Sequence, residues 1–200
     1  MKYYFSGFIL LLLLGCDNSP HLSHLNETAR VLAFGDSLTY GTGATKGQSY
    51  PAVLEGMLGR QVINAGIPGE LSVQGLARLP ALLDKYQPRL LILCHGGNDI
   101  LRKRDLDQMA VNLSAMINLA RERGIEVIML GVPGFGLFLT SVTQYKTVAE
   151  KTGIVFVADV LADILADKSL KADVVHPNNA GYREMAGQIY LALQDAGAVD

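Results

Sequence analysis

Near the C-terminus the stretch "ADVVHPNNAGY", Ala172 to Tyr182, sets an acid three positions ahead of an imidazole and places a proline directly behind it. The chain has only four histidines, so this one invites a chemical reading. Pro177 discourages helical geometry at His176, and a tight turn folds the Asp173 carboxylate back onto the ring. A carboxylate on one ring nitrogen fixes the tautomer, leaves the other nitrogen as an acceptor, and steadies the imidazolium once a proton arrives. The group such a base would serve is a hydroxyl. Ser37 in "FGDSLTYG" follows an apolar run and a Gly-Asp pair and begins the next helical or turn segment. A helix start there directs unpaired N–H groups toward any negative charge formed beside the serine. Taken singly, each residue also has a plainer reading, as a turn serine and a structural histidine.

Two further stretches could supply donors. "NAGIPGE" brings Gly66, Pro68 and Gly69 to the end of an apolar run, which suits either a plain tight turn or one whose backbone N–H approaches a ligand closely. "HGGNDI" ends another run with two glycines and Asn98, whose amide donates to an oxyanion without bringing a charge. The neighbouring Cys94 and His95 do not form a thiol–imidazole pair, because adjacent strand residues point to opposite faces. Cys94 reads as a small core residue. No G-x-S-x-G surrounds Ser37, since Thr39 stands where the last glycine would be, and this disfavours an α/β-hydrolase elbow.

From Val31 onward short apolar runs alternate with stretches of helical period, the pattern of βαβ units and a parallel sheet. Strands are expected at Val31 to Phe34, Gln61 to Asn64, Leu90 to Cys94, Glu126 to Leu130 and Ile154 to Val157. Apolar Leu106, Met109, Ala110, Leu113, Met116, Ile117 and Ala120 recur at steps of three and four and mark one buried helix face. Further helices are expected at Tyr50 to Leu58, Ser72 to Tyr86, Ser141 to Thr152 and Asn179 to Ala196, with Pro80 kinking or splitting the second of these. In open parallel sheets ligands sit beyond the carboxyl ends of the strands, which is where each candidate residue falls.

In this order, Ser37, Gly69, Asn98 and the Asp173/His176 pair resemble the four sequence blocks of the SGNH, or GDSL, hydrolase family, and the resemblance runs from about Val31 to Ala196. "QGLARLPALL" is similar to the family's bacterial periplasmic esterase/thioesterase/lysophospholipase branch. The resemblance implies a flavodoxin-like three-layer α/β/α sandwich with a five-stranded parallel sheet. It implies a carboxylic ester hydrolase acting through an acyl-serine, with Ser37, Asp173 and His176 catalytic and Ser37, Gly69 and Asn98 forming the oxyanion hole. No metal or organic cofactor is required. Substrate contacts are expected from Ile100, Leu101, Val132, Pro133 and Phe135, although Arg102, Lys103 and Arg104 depart from the family pattern. The apolar side chains of the 131–139 stretch serve either an acyl or aryl group or the core. A carbohydrate O-acetylesterase or acyltransferase would keep the same triad, and a silent binding lipoprotein is the remaining alternative.

A chain of 200 residues with formal charge −2 suits one compact domain and offers no electrostatic case for nucleic acid. Residues 1–15 read as a signal peptide. Their apolar run from Phe8 to Leu14 would cover only about 10 to 15 Å as a helix, against the ~30 Å hydrocarbon core of a bilayer. Leu13-Leu14-Gly15-Cys16 resembles the lipobox of bacterial lipoproteins, which implies lipidation of Cys16, membrane attachment through that anchor and a periplasm-facing place in the cell envelope. Asp17 resembles an inner-membrane retention signal. Residues 16–28 then read as a polar tether and 29–200 as the hydrolase domain. With Cys16 lipidated, Cys94 has no disulfide partner. His21 and His24 lack a third metal ligand.

Overall fold

A computed structural model describes residues 20–134 and 139–200. Strands β1 (Val31–Gly35), β2 (Val62–Gly66), β3 (Leu90–Cys94), β4 (Glu126–Leu130) and β5 (Val155–Val157) form a five-stranded parallel sheet in the order β2-β1-β3-β4-β5. β1 and β3 are buried at every position, which is why they read as unbroken apolar runs rather than alternating ones. One helical layer joins α2 (Tyr50–Leu58), α7 (Val160–Ala166) and α8 (Asn179–Asp195); the other runs through α3 (Ser72–Tyr86), α5 (Leu106–Arg121) and α6 (Thr143–Thr152). The architecture is the three-layer α/β/α sandwich that the family resemblance implies. Two short helices, α1 (Ser37–Tyr40) and α4 (Gly97–Leu101), start just beyond the ends of β1 and β3. These two strands are neighbours, and the chain leaves them in opposite directions across the sheet, so a crevice opens between their carboxyl ends.

α5 follows its sequence closely. Asp105 caps it by accepting from the Asp107 and Gln108 N–H groups, and Met109, Leu113, Met116, Ile117 and Ala120 are buried. α3 differs from expectation at Pro80, which lies inside one continuous helix and does not split it. Proline removes one intrahelical bond, but Gly75, Leu79 and Leu83 are buried along the core-facing side, and their packing carries the helix through. α4 and α7 were not separate expectations. α7, "VLADILA", buries five of its residues and so lacks the polar face that makes a surface helix legible.

Within the 16–28 stretch expected as a tether, residues 22–25 are bonded to the domain. Leu22 and Leu25 donate backbone N–H bonds to the carbonyls of Ala196 and Ala198, both at 2.8 Å. Ser23 bonds the Glu126 carboxylate through its N–H and its hydroxyl, and the Leu25 side chain is buried. The apolar Leu22 and Leu25 draw this irregular segment onto the amino ends of the sheet. Cys16 and the 1–15 segment lie outside the described residues. Among the described residues no helix is long and apolar enough to cross a membrane.

Candidate active site

Asp36 ends the turn out of β1 and accepts the Leu38 N–H through Oδ1 at 3.1 Å, which caps α1 and presents Ser37 as its first residue. The loop after α1 is fastened to the start of α8. Tyr182 Oη donates to the Thr42 carbonyl at 2.8 Å, and Asn179 Oδ1 accepts the Thr45 N–H at 2.9 Å. These bonds join segments about 140 residues apart in sequence and bring the 172–177 loop over Ser37. That loop closes on itself through the Ala172 N–H to His176 carbonyl bond, 2.9 Å.

His176 Nε2 lies 3.0 Å from Ser37 Oγ, and His176 Nδ1 lies 2.8 Å from Asp173 Oδ2. An ionised Asp173 only accepts, so the ring proton sits on Nδ1 and Nε2 faces the hydroxyl as an acceptor. Asp173 Oδ1 also accepts the Val175 and His176 N–H groups at 2.8 Å, which holds the turn that the proline implied. Burial pushes the Asp173 carboxyl up, but the His176 ring and these two N–H groups outweigh it and hold it below the usual carboxylate range. The pair sits near the surface, with the His176 side chain 17% and the Asp173 side chain 52% exposed.

Gly69 has φ +79°, a left-handed conformation that glycine adopts freely. Its carbonyl accepts from Arg102 Nη2 at 3.0 Å. Asn98, in the first turn of α4, is buried, and its Nδ2 donates to the Glu70 carbonyl at 3.1 Å and to Asp36 Oδ2 at 3.3 Å. One amide thus connects the residue after Gly69 to the residue before Ser37. Burial raises the Asp36 carboxyl above its ordinary range against the pull of His95, the Leu38 N–H and His176. Asp99 fixes α4 from its other side by accepting the Ser72 N–H and hydroxyl, both at 2.8 Å, with Asn112 donating to the same hydroxyl at 2.9 Å.

The expected substrate contacts divide. Ile100 packs half-buried against the core and Leu101 is 46% exposed. Val132 and Pro133 are buried, and Pro133 bridges antiparallel to Ser141. Phe135, Leu137 and Phe138 lie outside the described residues. A concavity of about 850 Å³ runs along the edge of β5, lined by Pro20, His21, Lys146, Glu150 and Phe156, and does not include Ser37. Cys94 is buried in the core, where burial pushes its thiol well up.

Sequence reasoning passed over a second acid–imidazole contact. Glu70 Oε2 lies 3.0 Å from His95 Nε2, and Arg78 grips the same carboxylate with Nε and Nη2 at 2.6 and 2.7 Å. Burial pushes the Glu70 carboxyl up, and the His95 and Arg78 bonds overcome it and hold it below its ordinary range. Glu70 and Arg78 stand inside the quoted motifs, but nothing in their spacing pairs either of them with His95.

A family model described as the GDSL-like lipase/acylhydrolase family matches residues 33–184. The chain is similar to the esterase TesA of Pseudomonas aeruginosa, with 32% identity over 197 residues covering 92% of this chain and 97% of that protein. It is also similar to an arylesterase of Vibrio mimicus, 37% identical over 115 residues that cover 54% of this chain and 58% of that protein. The crystal structure of TesA superposes with a TM-score of 0.75 at 29% identity, covering 84% of this chain and 99% of that one.

Proposed function

Since the chain belongs to the GDSL-like lipase/acylhydrolase family and is a carboxylic ester hydrolase, we propose that Ser37 is its nucleophile, His176 its general base and acid, and Asp173 the carboxylate that orients the ring. The observation that carries this reading is the continuous contact from Ser37 Oγ to His176 Nε2, 3.0 Å, and from His176 Nδ1 to Asp173 Oδ2, 2.8 Å. His176 takes the hydroxyl proton as Ser37 Oγ attacks the ester carbonyl, and Asp173 balances the imidazolium charge. The oxyanion meets the Ser37 and Gly69 backbone N–H groups and the Asn98 amide. Collapse expels the alcohol, which takes the proton from His176, and water then cleaves the acyl-serine by the same route.

Acyl and aryl esters are the substrate class, and thioesters or lysophospholipids follow the same chemistry. The exposed side chain of Leu101 beside Arg102 supports an apolar acyl group lying near the mouth of the site. An anchor at Cys16 would hold the domain by the end of the sheet opposite Ser37, because residues 22–25 dock at the amino ends of the strands.

Hydrolysis of p-nitrophenyl esters from acetyl to long acyl, with a fluorophosphonate probe to label the nucleophile, tests the mechanism. The wild-type chain hydrolyses the esters and takes up one probe, and Ser37→Ala loses both, leaving a rate lower by at least about 10⁴-fold. Turnover that survives Ser37→Ala would overturn the assignment. Activity on acetyl esters alone would move the substrate to a small acyl group.

A further inference from the structure

We infer that the buried cluster of Glu70, His95 and Arg78 is a positioning device for the oxyanion donors, with His95 the residue that holds Glu70 in place. This rests on the proposed hydrolytic site. Glu70 directly follows Gly69, and its carbonyl is the acceptor that orients the Asn98 amide, at 3.1 Å. Two proposed donors therefore depend on how the 68–71 backbone sits around Glu70: the Gly69 N–H lies in the peptide unit before the Gly69-Glu70 link and the Glu70 carbonyl in the unit after it. The Asn98 contact to Asp36 is longer, 3.3 Å, and that hydrogen is the one an oxyanion takes over, while the Glu70 contact stays as the hinge.

What fixes this stretch of backbone is the Glu70 side chain. The Glu70 side chain is 7% exposed and that of His95 0%. Arg78 Nη2 also donates to the carbonyls of Ala65 at 2.8 Å and Gly35 at 3.3 Å, and its guanidinium stacks 4.3 Å over the Phe34 ring. The carboxylate is thereby tied to the ends of β1 and β2. His95 ties it to the end of β3. Its Nδ1 accepts the Gly96 N–H at 2.9 Å, so its proton is on Nε2 and points at Glu70. Its carbonyl accepts from Tyr145 Oη at 2.7 Å. α3 makes room for the ring at Gly75, where an added Cβ would lie 2.3 Å from His95 Nε2. The three strand ends that carry Ser37, Gly69 and Asn98 thus meet at one carboxylate.

Stability alone is a weak account of such a cluster. Taking charges out of water is costly, and apolar side chains of similar volume often serve a core equally well. Geometry is what a bidentate fork and an oriented imidazole supply in addition.

The test compares His95→Leu, which removes the donor, with His95→Gln, whose amide nitrogen reaches the position of the ring Nε2. Both keep the Arg78 fork on Glu70. Turnover of p-nitrophenyl butyrate is measured per active site, counted by fluorophosphonate titration run to completion. His95→Leu is expected to lose roughly 10- to 100-fold in kcat, less than the ~10² to 10³ of a donor removed outright. KM should stay within about twofold, and His95→Gln should recover most of the loss. Unchanged kcat per titrated site in His95→Leu overturns the inference, as does a glutamine no better than leucine. If His95→Leu does not fold, Arg78→Lys, which keeps the charge and loses the fork, carries the same expectation and the same refutation. Wild-type protein that neither hydrolyses nor titrates would instead overturn the hydrolytic reading itself.

Discussion

The carboxylate–imidazole hydrogen bonds of Asp173 with His176 and of Glu70 with His95 are of nearly equal length, and they differ in what the second ring nitrogen does. In the surface pair Asp173 binds Nδ1 of His176 and Nε2 is turned to the Ser37 hydroxyl at 3.0 Å. In the buried pair Glu70 binds Nε2 of His95 and Nδ1 is taken by the Gly96 N–H. The first ring keeps an acceptor facing a hydroxyl, so a proton has somewhere to go. The second has both nitrogens committed to the protein and serves as a strut. An acid beside a histidine is therefore no mark of a base in itself; the partner of the far nitrogen decides.

The sharpest way to break this contrast is Asp173→Asn. An asparagine amide offers a donor as readily as an acceptor, so the ring loses the reason to keep its proton on Nδ1 and the imidazolium loses its counter-charge. We expect kcat to fall about 10² to 10⁴-fold, while the melting temperature barely moves because the side chain is half in water. A loss under tenfold, measured on the same ester, would mean that the loop backbone alone orients His176. Asn98→Ala comes next. Removing one oxyanion donor costs about 10² to 10³ in kcat, and the substitution should leave a folded protein that still takes up the phosphonate probe. Near-normal turnover would take Asn98 out of the site, and with it the purpose assigned to the buried pair.

Sequence patterns exposed the first pair and hid the second for a physical reason. Asp173 and His176 are three residues apart, and a proline restricts the turn between them, so local geometry alone suggests contact. Ser37 and Asn98 were legible as chemistry-bearing residues at strand ends. Their distance from one another was not, since it depends on sheet order and on bonds such as Tyr182 to Thr42. Glu70, Arg78 and His95 come from a loop, a helix and a strand end, and no periodicity links them. His95 even stood in view, paired with Cys94 in the reading of the sequence, and the alternation of strand faces separated that pair without revealing the real partner. The docked 22–25 segment was obscured in a similar way, because two leucines among polar residues leave too weak a pattern to distinguish a docked segment from a free tether.

The smallest expected effect separates the pairs by their acid limbs. Both carboxyls are held below the ordinary carboxylate range in the folded chain. Between that depressed value and the unfolded one, about 4, the unfolded chain binds more protons than the folded chain. The stabilisation is thus complete at neutral pH, begins to decline near pH 4, and is lost as pH falls through the folded value. Asp36 works in the opposite sense, since burial raises its carboxyl and stability falls as pH climbs from about 4 to that raised value. Thermal melts from pH 7 down to pH 3 should therefore show a decline at the acid end that Asp173→Asn flattens only slightly, because an exposed pair contributes at most about 1 kcal/mol. Glu70→Gln should flatten it further, since its carboxylate is buried with Arg78 and His95 and water screens it less. Equal flattening by the two substitutions would mean that burial does not distinguish the pairs, and that the strut is held no more firmly than the base.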